Sequence, residues 1–442
     1  MRLTSSEIQT LAAEAERRYI ARNPESQRLH EERRHVMPGG NTRTVIHVPP
    51  FPLTIVRGEG AQLIDADGHV YTDLLGDFTA GLYGHSHPAI VGAIREALDD
   101  GLAFGAPNLY EGRLARSICA RFKSVELVRF CNSGTEANLL ALSLARVASG
   151  RGKIMVFEGG YHGSVFYFAS RSGSPINAPF PFVVAPYNDI EGSMQVAAEH
   201  AGDLAAVLVE PLQGSSGAIV GDPQFLRALR SVTSEHDALL IFDEVMTSRL
   251  SPGGLQEVLG ITPDLTTFGK YLGGGLAFGA FGGRSELMSR FDPERADSLL
   301  HAGTFNNAVL TMAAGAAGLS QIYTPAEIER LNRLGDRLRE RLNEFAAGAG
   351  LPFSVSGYGS ILALHFTPGP IRRVSDIPAA EALRTLLHFH LLEAGYSYAR
   401  RGFIALSVPH EEADVDGFAA AVAEFLSHHA STLRRAVQAA SR

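Results

Sequence analysis

The chain has 442 residues, of which 45% are hydrophobic and 19% charged, and a formal net charge of -8. That balance belongs to a folded chain long enough for a large domain and a smaller one, and it excludes disorder and the basic footprint that nucleic acid or an anionic membrane surface requires. No uncharged apolar run of about 18 residues is present to span a bilayer.

The first 36 or so residues mix acids and bases at helical spacing and lack the apolar stretch of a secretion signal. With only Cys119 and Cys131 as thiols, a reducing, cytoplasmic setting is expected. Met37-Pro38-Gly39-Gly40-Asn41 ends this segment with a turn signal. From Leu53 to Leu75, short strand-like runs separated by Gly and Asp-Gly predict a small antiparallel sheet that joins another part of the chain. The middle section changes character. KIMVFE (153–158), FVVAPY (182–187), AAVLVEP (205–211), ALLIFDE (238–244) and LTTFGK (265–270) are nearly continuous apolar runs, as in strands buried on both faces. Helical patterns at 136–149 and 223–236 lie between them, so a βαβ series and a covered parallel sheet are expected. After about residue 320, a long charged helix beginning PAEIERL leads into short strands and a final helix. The expected division is 1–80, an N-terminal segment contributing to a small domain; 81–320, a large α/β domain; and 321–442, the rest of the small domain.

Three local features carry chemistry. Ser133, Gly134 and Thr135 follow the strand-like VELVRF and open a helix. There, backbone N–H groups, hydroxyls and the positive end of the helix dipole suit a phosphate, and equally make a plain N-cap. Asp243-Glu244 ends ALLIFDE, at the strand end where open α/β sheets bind ligands. A buried carboxylate in that place needs a cation, such as a protonated pyridine nitrogen, or else caps the next helix. Lys270 ends an apolar run and precedes three glycines. Desolvation would free its amine for a carbonyl, the alternative being a surface lysine in a turn. Together the three meet the needs of one ligand, pyridoxal 5'-phosphate (PLP): phosphate anchor, ring-nitrogen partner and aldehyde partner. No metal is expected.

LLIFDEVMTSR with Lys270 beyond it, and SGTEAN, GGYHG and VEPLQG in that order, resembles the class III aminotransferases over nearly the whole chain. The resemblance implies a fold-type I PLP enzyme, an α/β chain. Its large domain has a mostly parallel seven-stranded sheet covered by helices, and its small α+β domain comes from the two chain ends. It also implies a homodimer with shared active sites. By the same resemblance Lys270 carries the cofactor as a Schiff base and then moves the substrate proton, while Asp243 pairs with the ring nitrogen. Ser133, Gly134 and Thr135 hold the phosphate, Tyr161 stacks on the ring and Val245 packs on its other face. Gln213 reaches the ring hydroxyl, Glu210 shapes the pocket, and Thr304 of HAGTFNN reaches the phosphate from the partner subunit. A keto acid would complete a ping-pong cycle.

Arginines decide the substrate, because a guanidinium binds carboxylate bidentately. VMPGGNTR, EGRLAR paired with SGTEAN, and RGFIALSVP resemble the β-amino-acid aminotransferases, particularly those acting on β-phenylalanine. That likeness implies that Arg43 binds the carboxylate of the β-amino acid or the side-chain carboxylate of glutamate. Arg401 would bind the α-carboxylate of glutamate or 2-oxoglutarate, pyruvate being the other acceptor. Tyr83 in AGLYGHS would offer apolar surface to an aryl or alkyl group. His47 and Val48 stand where such relatives carry bulkier aromatics, leaving aromatic and aliphatic side chains both open. Glutamate-1-semialdehyde aminomutase is the nearest alternative, sharing the lysine and a glycine turn ending in arginine but needing no second carboxylate clamp; another class III ω-transaminase is a further one.

Overall fold

The apolar runs of the middle section form one seven-stranded sheet. Its strands are β1 (Leu127–Cys131), β2 (Lys153–Phe157), β3 (Phe182–Ala185), β4 (Leu204–Val209), β5 (Leu239–Asp243), β6 (Leu265–Gly269) and β7 (Gly279–Gly283), in the spatial order β1-β7-β6-β5-β4-β2-β3. The computed structural model describes residues 6–440. β5 runs parallel to β4 and β6, and β2 parallel to β3 and β4; only β7 is antiparallel to its neighbours β6 and β1. Every residue of β4, β6 and β7 is buried, as expected of strands covered on both faces. Helix α1 (Gly134–Ser149) lies on one face and buries Ala137, Ala141, Leu142, Leu144 and Ala145; the small residues let it approach β6 and β7 closely. The first glycine of β7, which reads GAFGG, is required where that approach is closest. A Cβ on Gly279 would come within 2.1 Å of the Ser133 carbonyl oxygen.

The run from Leu53 to Leu75 forms an antiparallel meander, Ile55–Glu59, Gln62–Asp65 and Val70–Asp73, and Tyr396–Ser397 adds a fourth strand parallel to the last of these. A three-stranded antiparallel sheet, Ser354–Tyr358, Ile361–His365 and Phe403–Ala405, lies beside the long helix Pro325–Gly348. That helix starts at Thr324, whose hydroxyl accepts the Glu327 N–H, and its stripe Ile328, Leu331, Leu334, Leu338 and Leu342 packs against Glu412–His428. The first helix, Ser6–Arg22, packs on Glu381–Glu393, with Tyr19 and Phe389 rings 4.9 Å apart and Arg18 paired with Glu393. Among the described residues no helix is long and apolar enough to cross a membrane.

Candidate active site

The carboxyl ends of β5 and β6, the start of α1 and the segment around Phe78 enclose a cavity of about 540 Å³. α1 begins there because Ser133 is its N-cap: the Ser133 hydroxyl accepts the Glu136 N–H at 3.1 Å. Gly134 and Thr135 form its first turn and line the cavity, so amides without intrahelical partners and the positive dipole end stand at the cavity wall. The N-cap and the anion site are therefore one structure. Only glycine fits at Gly134, where a Cβ would lie 2.9 Å from Val245 Cγ2 on the facing wall.

Asp243, at the end of β5, is buried with one oxygen doubly engaged. Its Oδ2 lies 2.9 Å from Asn138 Nδ2 and 2.8 Å from His162 Nδ1, and its Oδ1 accepts the Val245 N–H at 3.1 Å. Thr267 donates to Asn138 Oδ1 at 2.8 Å, which fixes the Asn138 amide so that its NH₂ faces Asp243. Asn138 and His162 lie within the motifs SGTEAN and GGYHG, yet their roles were not evident from residue type; the signal was their spacing from Ser133 and Tyr161. Glu244 takes the other course open to a strand-end acid. It accepts the Leu255 and Gln256 N–H groups at 3.0 and 2.8 Å and so starts the helix Leu255–Leu259.

Lys270 follows β6 with φ of +57° and extends Nζ to the Phe78 carbonyl oxygen. Burial pulls its pKa down to about 8, while the charges of Asp77 and Asp243 limit the fall. The acceptor belongs to an unusual turn: Gly76, Asp77, Phe78 and Thr79 have φ of +51°, +41°, +54° and +80°. Three consecutive non-glycine residues in the left-handed region cost about 1–2 kcal/mol each and persist only where surrounding contacts require them.

Glu210 also faces the cavity, accepting N–H groups from Tyr161 at 2.8 Å and Gly214 at 3.2 Å; burial pushes its pKa up to about 7. Tyr161 and Val245 line the same space. Of the residues expected here, Gln213, Tyr83 and Arg401 do not line it. Gln213 is buried outside the cavity lining and donates to the Glu158 carbonyl at 3.0 Å. Tyr83, 4% exposed, packs on Tyr271 in the core, so its surface is closed to a substrate group. Thr304, expected at the site of a partner subunit rather than its own, is exposed and lies outside the cavity lining of its own chain.

The two arginines meet at Phe78. Arg43 lines the cavity, pairs with Asp77 at 2.7 Å and lies 5.7 Å from the Phe78 ring centre. Arg401 lies 5.1 Å from the same ring and 5.8 Å from that of Phe403, and donates to Ser215 Oγ at 3.3 Å. Its Nε is buried without a partner among the described residues. His47, Val48, Leu75, Phe78 and Arg401 line a second cavity of about 560 Å³, so Phe78 separates the two spaces.

The family profile "Aminotransferase class-III" matches residues 45–386. The beta-phenylalanine transaminase of Variovorax paradoxus is 50% identical over 435 residues, 98% of this chain and 100% of the relative. A glutamate-1-semialdehyde 2,1-aminomutase of Brevibacillus brevis is 39% identical over 412 residues, 88% and 95% of the two chains. The crystal structure of a beta-phenylalanine aminotransferase from Variovorax paradoxus superimposes with a TM-score of 0.94 at 50% identity, covering 96% of this chain and 98% of that one.

Proposed function

This chain belongs to the class III aminotransferases, and from that premise we propose that it moves the amino group of a β-amino acid of the β-phenylalanine kind to 2-oxoglutarate or pyruvate. The chain is an aminotransferase and uses PLP. The residues of this cavity fit the cofactor: a helix N-terminus for the phosphate, a buried carboxylate for a protonated ring nitrogen, and an amine with a depressed pKa stand around one space.

The observation that carries the substrate class is the pair Arg43 and Arg401, both packed against the ring of Phe78. Two guanidinium groups at separate cavities suit one substrate carboxylate each, which an intramolecular aminomutase does not need. The likeness to a relative named for beta-phenylalanine supports the same reading.

Bound PLP supplies an aldehyde that takes up the amine and a pyridinium ring that accepts the electron pair of the deprotonated carbon. Lys270, once free, removes the proton from the amine-bearing carbon and returns it on the other side of the transfer. Asp243, held by Asn138 and His162, keeps the proton on the ring nitrogen. Ser133, Gly134 and Thr135 would anchor the phosphate, and Tyr161 and Val245 would pack against the ring. A ping-pong order is part of the proposal: the donor brings its carboxylate to Arg43 and leaves before the keto diacid binds with Arg43 and Arg401.

The enzyme reads as a cytoplasmic homodimer with a large domain spanning 81–320 and a small one from 1–80 and 321–442. Thr304 supports the dimer. It is exposed between Leu300 (91% exposed) and Phe305 (67% exposed), apolar surface that a second copy would cover while presenting its threonine to the phosphate.

A donor screen tests the proposal: α- and β-amino acids against 2-oxoglutarate and pyruvate, read by keto-acid release. β-Amino acids with aryl or alkyl side chains should lead. Turnover confined to substrates with vicinal amino and carbonyl groups would instead identify an aminomutase.

A further inference from the structure

Arg43 is already paired. Its Nη1 lies 2.7 Å from Asp77 Oδ1, and Asp77 sits in the left-handed turn with φ of +41° and ψ of +51°. Asp77 belongs to no family motif discussed above, yet it stands at the cavity wall together with Arg43 and Lys270. The next residue of the turn, Phe78, holds both arginines by its ring and Lys270 by its carbonyl oxygen. The turn therefore maintains a strained backbone at the point where an acid meets the guanidinium assigned to substrate. Aspartate is among the few side chains that tolerate this conformation, and asparagine is another.

The site faces two demands that oppose each other. A β-amino acid or a 2-oxo diacid brings a carboxylate to Arg43. A 2-oxo monoacid such as pyruvate spends its only carboxylate on Arg401 and leaves Arg43 without one. A half-exposed guanidinium left beside a small apolar ligand loses its ion pair, a modest cost at this exposure. We propose that Asp77 is a specificity-determining residue: its carboxylate stands in for the substrate's on Arg43, and yields when a substrate carboxylate arrives. It thereby weakens ligands that carry a carboxylate to Arg43 and supports those that do not. This rests on the assignment of Arg43 to substrate made above.

Asp77→Asn tests it, since asparagine keeps the turn and removes only the charge. Both Arg43 and Asp77 are half exposed, so the effect is modest. The KM for the β-amino acid and for 2-oxoglutarate should each fall about two- to fivefold. The kcat/KM ratio of 2-oxoglutarate to pyruvate should rise by at least as much, with pyruvate use unchanged or weakened. Asp77→Gly, which the turn also accepts, should reproduce the shift if the asparagine variant folds poorly. An unchanged or raised KM for 2-oxoglutarate, or an equal improvement for pyruvate, overturns the proposal. Arg43→Ala separates the two levels. If it leaves the KM of the β-amino acid unchanged, the assignment of Arg43 is wrong and Asp77 falls with it. If Arg43→Ala raises that KM while Asp77→Asn does nothing, only the role of Asp77 is wrong.

Discussion

His162 Nδ1 stands 2.8 Å from Asp243 Oδ2, both nearly inaccessible to water, at the end of the central strand β5. The imidazole N–H and the Asn138 amide at 2.9 Å hold this carboxylate in one orientation. Asp243→Asn removes the charge that keeps the cofactor ring protonated, and kcat should fall by about 10²–10³-fold. His162→Ala leaves the charge and loses its orientation. It should cost roughly tenfold in kcat, as removal of an outer hydrogen-bond partner commonly does. Steady-state kinetics with saturating PLP distinguishes the two, and equal losses would contradict this division.

Lys270 should take up cofactor at unusually low pH. Its amine must be neutral to attack the aldehyde, and burial lowers the pKa from 10.5 to about 8. The neutral fraction therefore rises with pH and is half complete near pH 8. The rate of PLP capture by apoenzyme, followed by the absorbance of the bound cofactor, should level off above that point. A rate still climbing at pH 10 would mean an ordinary, solvated lysine. Lys270→Ala should lose at least about 10³-fold in turnover.

Glu210 gives the apoenzyme a pH-dependent cost. Its folded pKa is raised from 4.5 to about 7 by burial, so the folded state binds the proton more tightly than the unfolded chain. The penalty is absent below pH 4.5, grows as the pH rises, and is complete above pH 7, at about 3 kcal/mol. Glutamine resembles the protonated acid. Apo Glu210→Gln should match the parent in denaturant unfolding at pH 5 and exceed it in stability at pH 8. A stability difference that does not change between pH 5 and 8 would rule this out.

The sequence announced those residues whose roles are local. Ser133 to Thr135 open a helix wherever they occur, Asp243 ends an apolar run, and Lys270 is flagged by its glycines. Strands β2 to β6 were legible for the same reason, as buried parallel strands are apolar throughout. β7 was not: its glycines face backbone packed on them, Gly279 the Ser133 carbonyl and Gly283 that of Asp264, long-range contacts with no sequence period. The Gly76–Thr79 turn was hidden because non-glycine residues with positive φ are held by tertiary contacts, here Arg43 and Lys270. Tyr83 was expected to offer apolar surface to a substrate group, whereas its ring enters the core beside Tyr271. Gln213 turns its Nε2 to the Glu158 carbonyl and leaves Oε1 buried without a partner among the described residues.

Tyr83 should accordingly behave as a core residue. Its hydroxyl is buried without a hydrogen-bond partner among the described residues. Tyr83→Phe should leave KM for every donor unchanged and stability within about 1 kcal/mol. Tyr83→Ala should cost about 3–5 kcal/mol in unfolding free energy. A change in donor preference in the phenylalanine variant would return Tyr83 to the substrate site.

The half-reaction tests the central claim most directly. Holoenzyme mixed with excess β-phenylalanine and no acceptor should release one equivalent of the 3-oxo acid per active site and stop. After unreacted donor is removed, addition of 2-oxoglutarate should yield one equivalent of glutamate and restore the enzyme for another round. Release that continues without any acceptor, or no release at all, would contradict transfer of the amino group from a β-amino acid to a keto acid at this site.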